Sequence, residues 1–128
     1  MKEGLSIGEA NDTAHVVEPG DGISHMGPGV SSVLSTPSMI RLIEQCSRLI
    51  LERHFEDGDA SVGYHVNVFH LAAAKVGDTI TTKSKVREIN KRRVTFDVES
   101  WNGETKIGEG SHVRVVVNKN RFAGDKKS

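Results

Sequence analysis

Thr36-Pro37-Ser38-Met39-Ile40-Arg41-Leu42-Ile43-Glu44-Gln45-Cys46-Ser47-Arg48-Leu49-Ile50-Leu51 decides the fold of this 128-residue chain. Met39, Leu42, Ile43, Cys46, Leu49 and Ile50 recur at the spacing of one buried helical face. Thr36 is placed to cap the first turn, and Pro37 suits the first helical position, where a missing N–H is harmless. Glu56-Asp57-Gly58-Asp59 ends the segment. A second, narrower flank holds Ile40, Ser47 and Leu51, with Glu44 beside them. At about 100° per residue, Glu44 borders the apolar stripe and does not oppose it. The carboxylate is therefore expected at the edge of the core.

On either side of the helix the pattern changes. Residues 1–12 are polar, and Thr13 to Val17 reads as a short first strand. Pro19 to Ser35 is rich in Gly and Ser, with Asp21-Gly22, Gly27-Pro28-Gly29 and Ser31-Ser32 as turn formers. A loop of that length ending at a helix start is placed to serve as a lid. After the helix, Val62 to Leu71 forms a strand and Gly77-Asp78 turns the chain. Thr79 to Ile89 alternates, with Ile80, Thr82, Ser84 and Val86 on one face and Lys83, Lys85 and Arg87 on the other. Val94 to Trp101 points Val94, Phe96 and Val98 inward. Asn102-Gly103 is a two-residue hairpin turn. Glu104 to Val117 is the last strand, with a bulge expected at Gly108-Glu109-Gly110.

One helix and a long antiparallel meander define an α+β domain over residues 1–118, followed by a polar tail over 119–128. The economical layout is one long central helix wrapped by a curved antiparallel sheet of about five strands. Such a sheet leaves edges free, and a homodimer that pairs them would cover them.

Composition narrows the function. With 36% hydrophobic and 27% charged residues the chain is an ordinary globular one. Lys plus Arg and Asp plus Glu number 17 each, which argues against nucleic acid as the partner. The single cysteine, Cys46, allows no intrachain disulfide and fits a reducing compartment. The N-terminus has no apolar signal-like core, and no run approaches the roughly 20 apolar residues that span a bilayer. The expected location is the cytoplasm, away from membranes. His65 and His70, five apart on a strand, point to opposite faces, which counts against a shared metal site.

The chain resembles the hot-dog-fold thioesterases, and among them the fluoroacetyl-CoA thioesterase-like family. The resemblance runs from about Val16 to Arg121. It rests on Thr36 followed eight residues later by Glu44, and on Gly63-Tyr64-His65-Val66-Asn67-Val68-Phe69-His70-Leu71-Ala72-Ala73 with Gly77 behind it. It implies a homodimeric acyl-CoA thioesterase with active sites near the dimer interface. It also implies that Thr36, Glu44 and His70 are catalytic, that Gly63 lies by the acyl group and that Arg114 binds substrate. No cofactor is implied beyond the coenzyme A of the substrate. One departure is plain: Gly27 to Ser35 carries no aromatic residue, whereas the fluoroacetyl-specific member has aromatic lid residues there. The chemistry carries over more readily than that selectivity.

Those residue types suit the reaction. The leaving thiol of a thioester has a pKa of about 8.5, like a free thiol, so it needs little acid help. The harder parts are placing a nucleophile and stabilising the oxyanion. Glu44 can attack the carbonyl or deprotonate a water, and His70 is the natural proton shuttle. Thr36 as an N-cap would stand roughly 12 Å along the helix axis from Glu44, so it is read as orienting the substrate.

Plainer readings exist for each residue. Arg48, at i+4, is available to pair with Glu44 on a solvated helix face. His70 shares its expected face with Tyr64, Val66 and Val68 and fits a core histidine. Cys46 lies on the apolar stripe as a small buried hydrophobe. His15, His25, His54 and His112 read as surface or turn residues. Lys83, Lys85, Arg87, Lys91, Arg92 and Arg93 form either a solvated face or a contact for coenzyme A phosphates that Arg114 joins. The rival functions are a non-catalytic acyl-CoA-binding module and a hydratase. The hydratase reading is weakened because Asp21-Gly22-Ile23-Ser24-His25 lacks the Asn-Pro and the spacing of that motif.

Overall fold

The computed structural model describes residues 4–22 and 33–120. The single long helix among the described residues, α1, spans Thr36–Glu52. Ser35, not Thr36, is the N-cap: its Oγ accepts from the Ser38 N–H at 3.2 Å. Thr36 and Pro37 are the first two helical residues, which leaves the Thr36 hydroxyl free for other work. Met39, Leu42, Ile43, Cys46, Ser47, Ile50 and Leu51 are buried along the helix, while Glu44 is half-exposed at the border of that stripe.

Five strands form, with ends shifted by a few residues from those that alternation suggested: β1 Ala10–Val16, β2 Asp59–His70, β3 Thr79–Asn90, β4 Arg93–Asn102 and β5 Thr105–Asn118. They form one antiparallel sheet in the order β1-β3-β4-β5-β2, so β1 and β2 are its two edges. Only β3, β4 and β5 make a meander, because β2 pairs with β5 and not with β3. The helix packs on all five strands. Leu34, Met39, Ile43, Ile50, Leu51, Ile80, Val94, Phe96 and Ile107 are fully buried between the layers. Each such side chain contributes about 1.5–3 kcal/mol of burial free energy. Ile80, Thr82, Ser84 and Val86 line the inner face of β3, and Lys83, Lys85 and Arg87 stand in solvent. A polar seam lets the helix approach that strand closely. Ser47 Oγ and Ser84 Oγ lie 2.7 Å apart, and the buried Cys46 thiol donates to the carbonyl of Asn11 at 3.3 Å.

Three local details differ from the sequence reading. The β4–β5 turn consists of Gly103 and Glu104, because Asn102 still pairs with Thr105. Gly103 has φ +61° and Glu104 a negative φ, the pattern of a turn with Gly at its first central position. The bulge in β5 falls at Ile107, since Ser100 faces Gly108 and Trp101 faces Lys106. Gly108 and Gly110 serve close approach instead: a Cβ on Gly108 would lie 2.6 Å from Met39 Sδ, and one on Gly110 would strike the Asn67 carbonyl. A further bulge falls at Tyr64, where Gly63 faces Arg114 and His65 faces Val113. It turns Tyr64 outward, where its ring lies under the Arg93 guanidinium at 4.3 Å. Gly63, not Tyr64, therefore shares the inner face of β2 with Val66, Val68 and His70.

The stretch before α1 is pinned at both ends. Asp21 is buried in a short 3-10 turn, Pro19–Asp21, where it takes the Glu18 N–H at 2.8 Å, His15 Nε2 at 2.8 Å and Arg41 Nη2 at 3.2 Å. The Glu18 N–H and then His15 hold its carboxyl below the usual range, against burial. Its carbonyl accepts from the Ser35 N–H, and Leu34 bridges Gly22. Asp21 is thus a structural anchor. His25 and the body of the expected lid, residues 23–32, lie outside the described residues, as do residues 121–128 of the tail.

Candidate active site

The helix and the inner face of edge strand β2 bring the predicted residues together as two groups. The first stands at the start of α1. Thr36 Oγ1 and His70 Nδ1 are 2.8 Å apart, the hydroxyl having been left free by the Ser35 cap. His70 is partly buried, and its Nε2 has no hydrogen-bond partner among the described residues. Burial pushes the His70 pKa down, with the Ala72 backbone partly opposing it. Burial thus favours the neutral form of the ring.

The second group lies two turns along the helix. Glu44 does not pair with Arg48, which instead binds Glu52 at 2.6 Å. Its Oε2 lies 3.6 Å from Arg114 Nη1, with the glutamate side chain 39% exposed. The same oxygen backs onto Gly63, where a Cβ would come within 2.8 Å of it. The resemblance implies that Gly63 lies by the acyl group; in the structure its missing side chain leaves room for Glu44. Arg114 is 5% exposed and is not part of a solvated basic face. Its Nε and Nη2 donate to the Oγ and carbonyl of Ser61 at 2.9 and 3.1 Å, and Nη1 lies 3.3 Å from His112 Nε2. The exposed basic residues of β3 and β4 are elsewhere, with Arg87 paired to Asp97 at 2.9 Å.

His112 was read as a surface or turn residue and is fully buried. Its ring stacks near Phe96, with centroids 6.4 Å apart. Ser61 and His112 are the members of this group that sequence reasoning missed. A usable signal existed for His112: it stands two residues from Arg114, so the two share a face of β5.

A cleft of about 420 Å³ opens beside Glu44, lined by Arg41, Gln45, Arg48 and Arg114. Among the described residues, no group of three His, Cys, Asp or Glu side chains is placed to hold a metal ion. No helix among them is long and apolar enough to cross a membrane.

A helix wrapped by a five-strand antiparallel sheet is the hot-dog fold, and the comparisons identify this example as a thioester hydrolase. The family model for fluoroacetyl-CoA-specific thioesterase matches residues 17–120, and the chain belongs to that family. It is 30% identical over 128 residues to the fluoroacetyl-CoA thioesterase of Streptantibioticus cattleyicolor, covering 95% of this chain and 92% of that protein. The solved structure of the fluoroacetyl-CoA thioesterase FlK superposes with a TM-score of 0.86 at 27% identity, covering 98% of this chain and 97% of that one. A Thermus thermophilus member of the thioesterase superfamily gives a TM-score of 0.86 at 25% identity, over 98% of this chain and 93% of that one.

Proposed function

We propose that this enzyme hydrolyses a short acyl-CoA to a free acid and coenzyme A, with Glu44 and His70 performing the chemistry and Thr36 orienting the substrate. The observation that carries the proposal is the setting of Glu44. One carboxylate oxygen is held between Arg114 and Gly63, which leaves the other to act. It attacks the thioester carbonyl or deprotonates the attacking water; both fit the geometry. If Glu44 is the base, the water's proton passes from its carboxyl to neutral His70 and on to the departing thiolate; if Glu44 is the nucleophile, His70 takes the proton of the water that cleaves the anhydride and passes it to the thiolate. Thr36 fixes the ring in either case. Gly63 lets the acyl group approach the backbone, so that N–H groups of β2 can meet the oxyanion. Variants of FlK have been solved with acetyl-CoA and with fluoroacetate and CoA, which supports a small acyl group. The enzyme needs no cofactor in this scheme, coenzyme A entering as part of the substrate. Arg41 and Arg48, at the cleft beside Glu44, are better placed for its phosphates than the distant basic residues of β3 and β4.

The two groups stand about 12 Å apart along the helix axis, too far for one substrate carbonyl. A homodimer resolves this. If β2 pairs antiparallel with its copy about a two-fold axis near Val66 and Asn67, Gly63 of one protomer falls opposite His70 of the other. Glu44 of one chain then meets Thr36 and His70 of its partner. The β2 edge supports such pairing: Tyr64 is 59% exposed, and Val62, Phe69 and Leu71 are exposed with it. A buried lone cysteine is in keeping with a reducing cytoplasm.

Thiol release from acyl-CoAs of graded length, fluoroacetyl-CoA included, tests the chemistry. Wild type should turn over short chains, and Glu44→Ala and His70→Ala should each lose about 10²–10⁴ in kcat. Full turnover by Glu44→Ala would refute the assignment.

A further inference from the structure

The hydrogen-bond pattern around His112 assigns it a role that the reaction scheme above does not use. Nδ1 lies 2.9 Å from the His65 carbonyl, which can only accept, so Nδ1 carries the ring proton. In the neutral ring Nε2 is then a bare acceptor. Arg114 has only donors, so its Nη1–H donates to that Nε2 at 3.3 Å. With Nε and Nη2 fastened to Ser61, the guanidinium is fixed from two sides, and Nη1 is directed at Glu44 Oε2. A Cβ on Gly63 would meet Glu44 Oε2, His112 Cε1 and Arg114 Nη1 in turn, at 2.8, 3.6 and 3.8 Å, so all three enclose one spot. The His65 carbonyl belongs to the residue that follows the bulge at Tyr64.

We infer that His112 is a positioning residue, whose unprotonated Nε2 holds Arg114 in the orientation that fixes Glu44. The inference deepens the proposed function and rests on Glu44 being the catalytic carboxylate. Protonation would turn Nε2 into a donor and set a second buried cation against Arg114. The charged and titratable groups facing the ring are Arg114 from β5, Glu44 from α1 and His65 from β2. Burial first, then the Arg114 charge, disfavours the protonated ring, against the His65 carbonyl. The clamp therefore operates at neutral pH and releases in acid.

Two substitutions divide the ring's functions. His112→Asn keeps a donor at the Nδ1 position and loses the acceptor for Arg114. His112→Gln places an amide oxygen near the Nε2 position and keeps that acceptor. With acetyl-CoA as the probe, Asn should lower kcat roughly 10- to 100-fold with little change in KM. Gln should recover most of that loss, with the acid limb of the kcat profile moved to lower pH. Long-range ¹H–¹⁵N spectra of the wild-type protein should show His112 as the Nδ1–H tautomer near pH 7, whatever the variants' stability. An Nε2–H tautomer, or equal kcat in wild type and the Asn variant, would overturn the role of His112 alone. Loss of thiol release in His112→Asn but not in Glu44→Ala would overturn the reading of Glu44 on which it rests.

Discussion

Glu44 owes its position to a neighbour without a side chain. Gly63 does not have a positive φ, so its backbone would accept a larger residue. What forbids one is the carboxylate oxygen 2.8 Å from where a Cβ would be. That oxygen is the tip of a flexible side chain, so Gly63→Ala should fold and displace Glu44 from Arg114. We expect kcat to fall by about tenfold or more while thermal unfolding shifts by only a few degrees. Unfolding of Gly63→Ala at wild-type temperature with unchanged kcat would show that Glu44 tolerates the shift. The helical period put Glu44 at the border of the apolar stripe; its contacts with Arg114 and Gly63 were not legible in the local pattern. The ion pair suggested by spacing, Glu44 with Arg48, yields to Arg48–Glu52 because Arg114 reaches Glu44 across the sheet from about 70 residues away.

At the scale of elements, local pattern served well where burial has one period. The alternation of β3 and β4 corresponds to what is buried, as does the stripe of α1 except that Leu49 is half-buried and the flanking Ser47 and Leu51 are buried with it. It failed where one residue changes register. The bulge at Tyr64 inverts the faces of β2 around it, and no residue type there announces it. The helix start was displaced by one residue for a similar reason: Ser35 and Thr36 are both good caps, and the choice depends on which hydroxyl has a tertiary partner. Ser35 caps, and Thr36 meets His70. The two substitutions should therefore part company. Ser35→Ala should cost about 1 kcal/mol of stability, read by urea unfolding. Thr36→Ala should leave stability within about 0.5 kcal/mol and lower kcat, because the His70 ring loses its fixed partner. The burial of His112 was hidden because a histidine in an alternating strand is equally at home on either face.

For the whole molecule, the partly buried His70 and the buried His112 contribute to the response to mild acid. Burial lowers the pKa of both His70 and His112 from the ordinary value of about 6.5. The unfolded chain therefore binds protons that the folded chain refuses. Their contribution to stability is complete above about pH 6.5 and is lost as pH falls toward their folded values. The melting temperature should fall as pH drops below about 6.5, and His112→Gln should flatten part of that slope. An unchanged slope in the variant would remove His112 from the account. Assembly is the other property at this scale: the free sheet edges and the resemblance point to a homodimer, which a single protomer does not display. Glu44 and His70 lie in separate groups, and the proposed site joins them through a second copy across β2.

Mixing inactive variants tests that claim most directly. Glu44→Ala and His70→Ala are each prepared alone, then unfolded together in equal amounts and refolded, and thiol release from acetyl-CoA is followed. Half of the dimers pair one variant with the other, and in each of these one site has both residues intact. The account predicts that the mixture recovers about a quarter of wild-type turnover while neither variant alone is active. A mixture as inactive as its components would contradict it, because Glu44 and His70 would then have to act within one protomer.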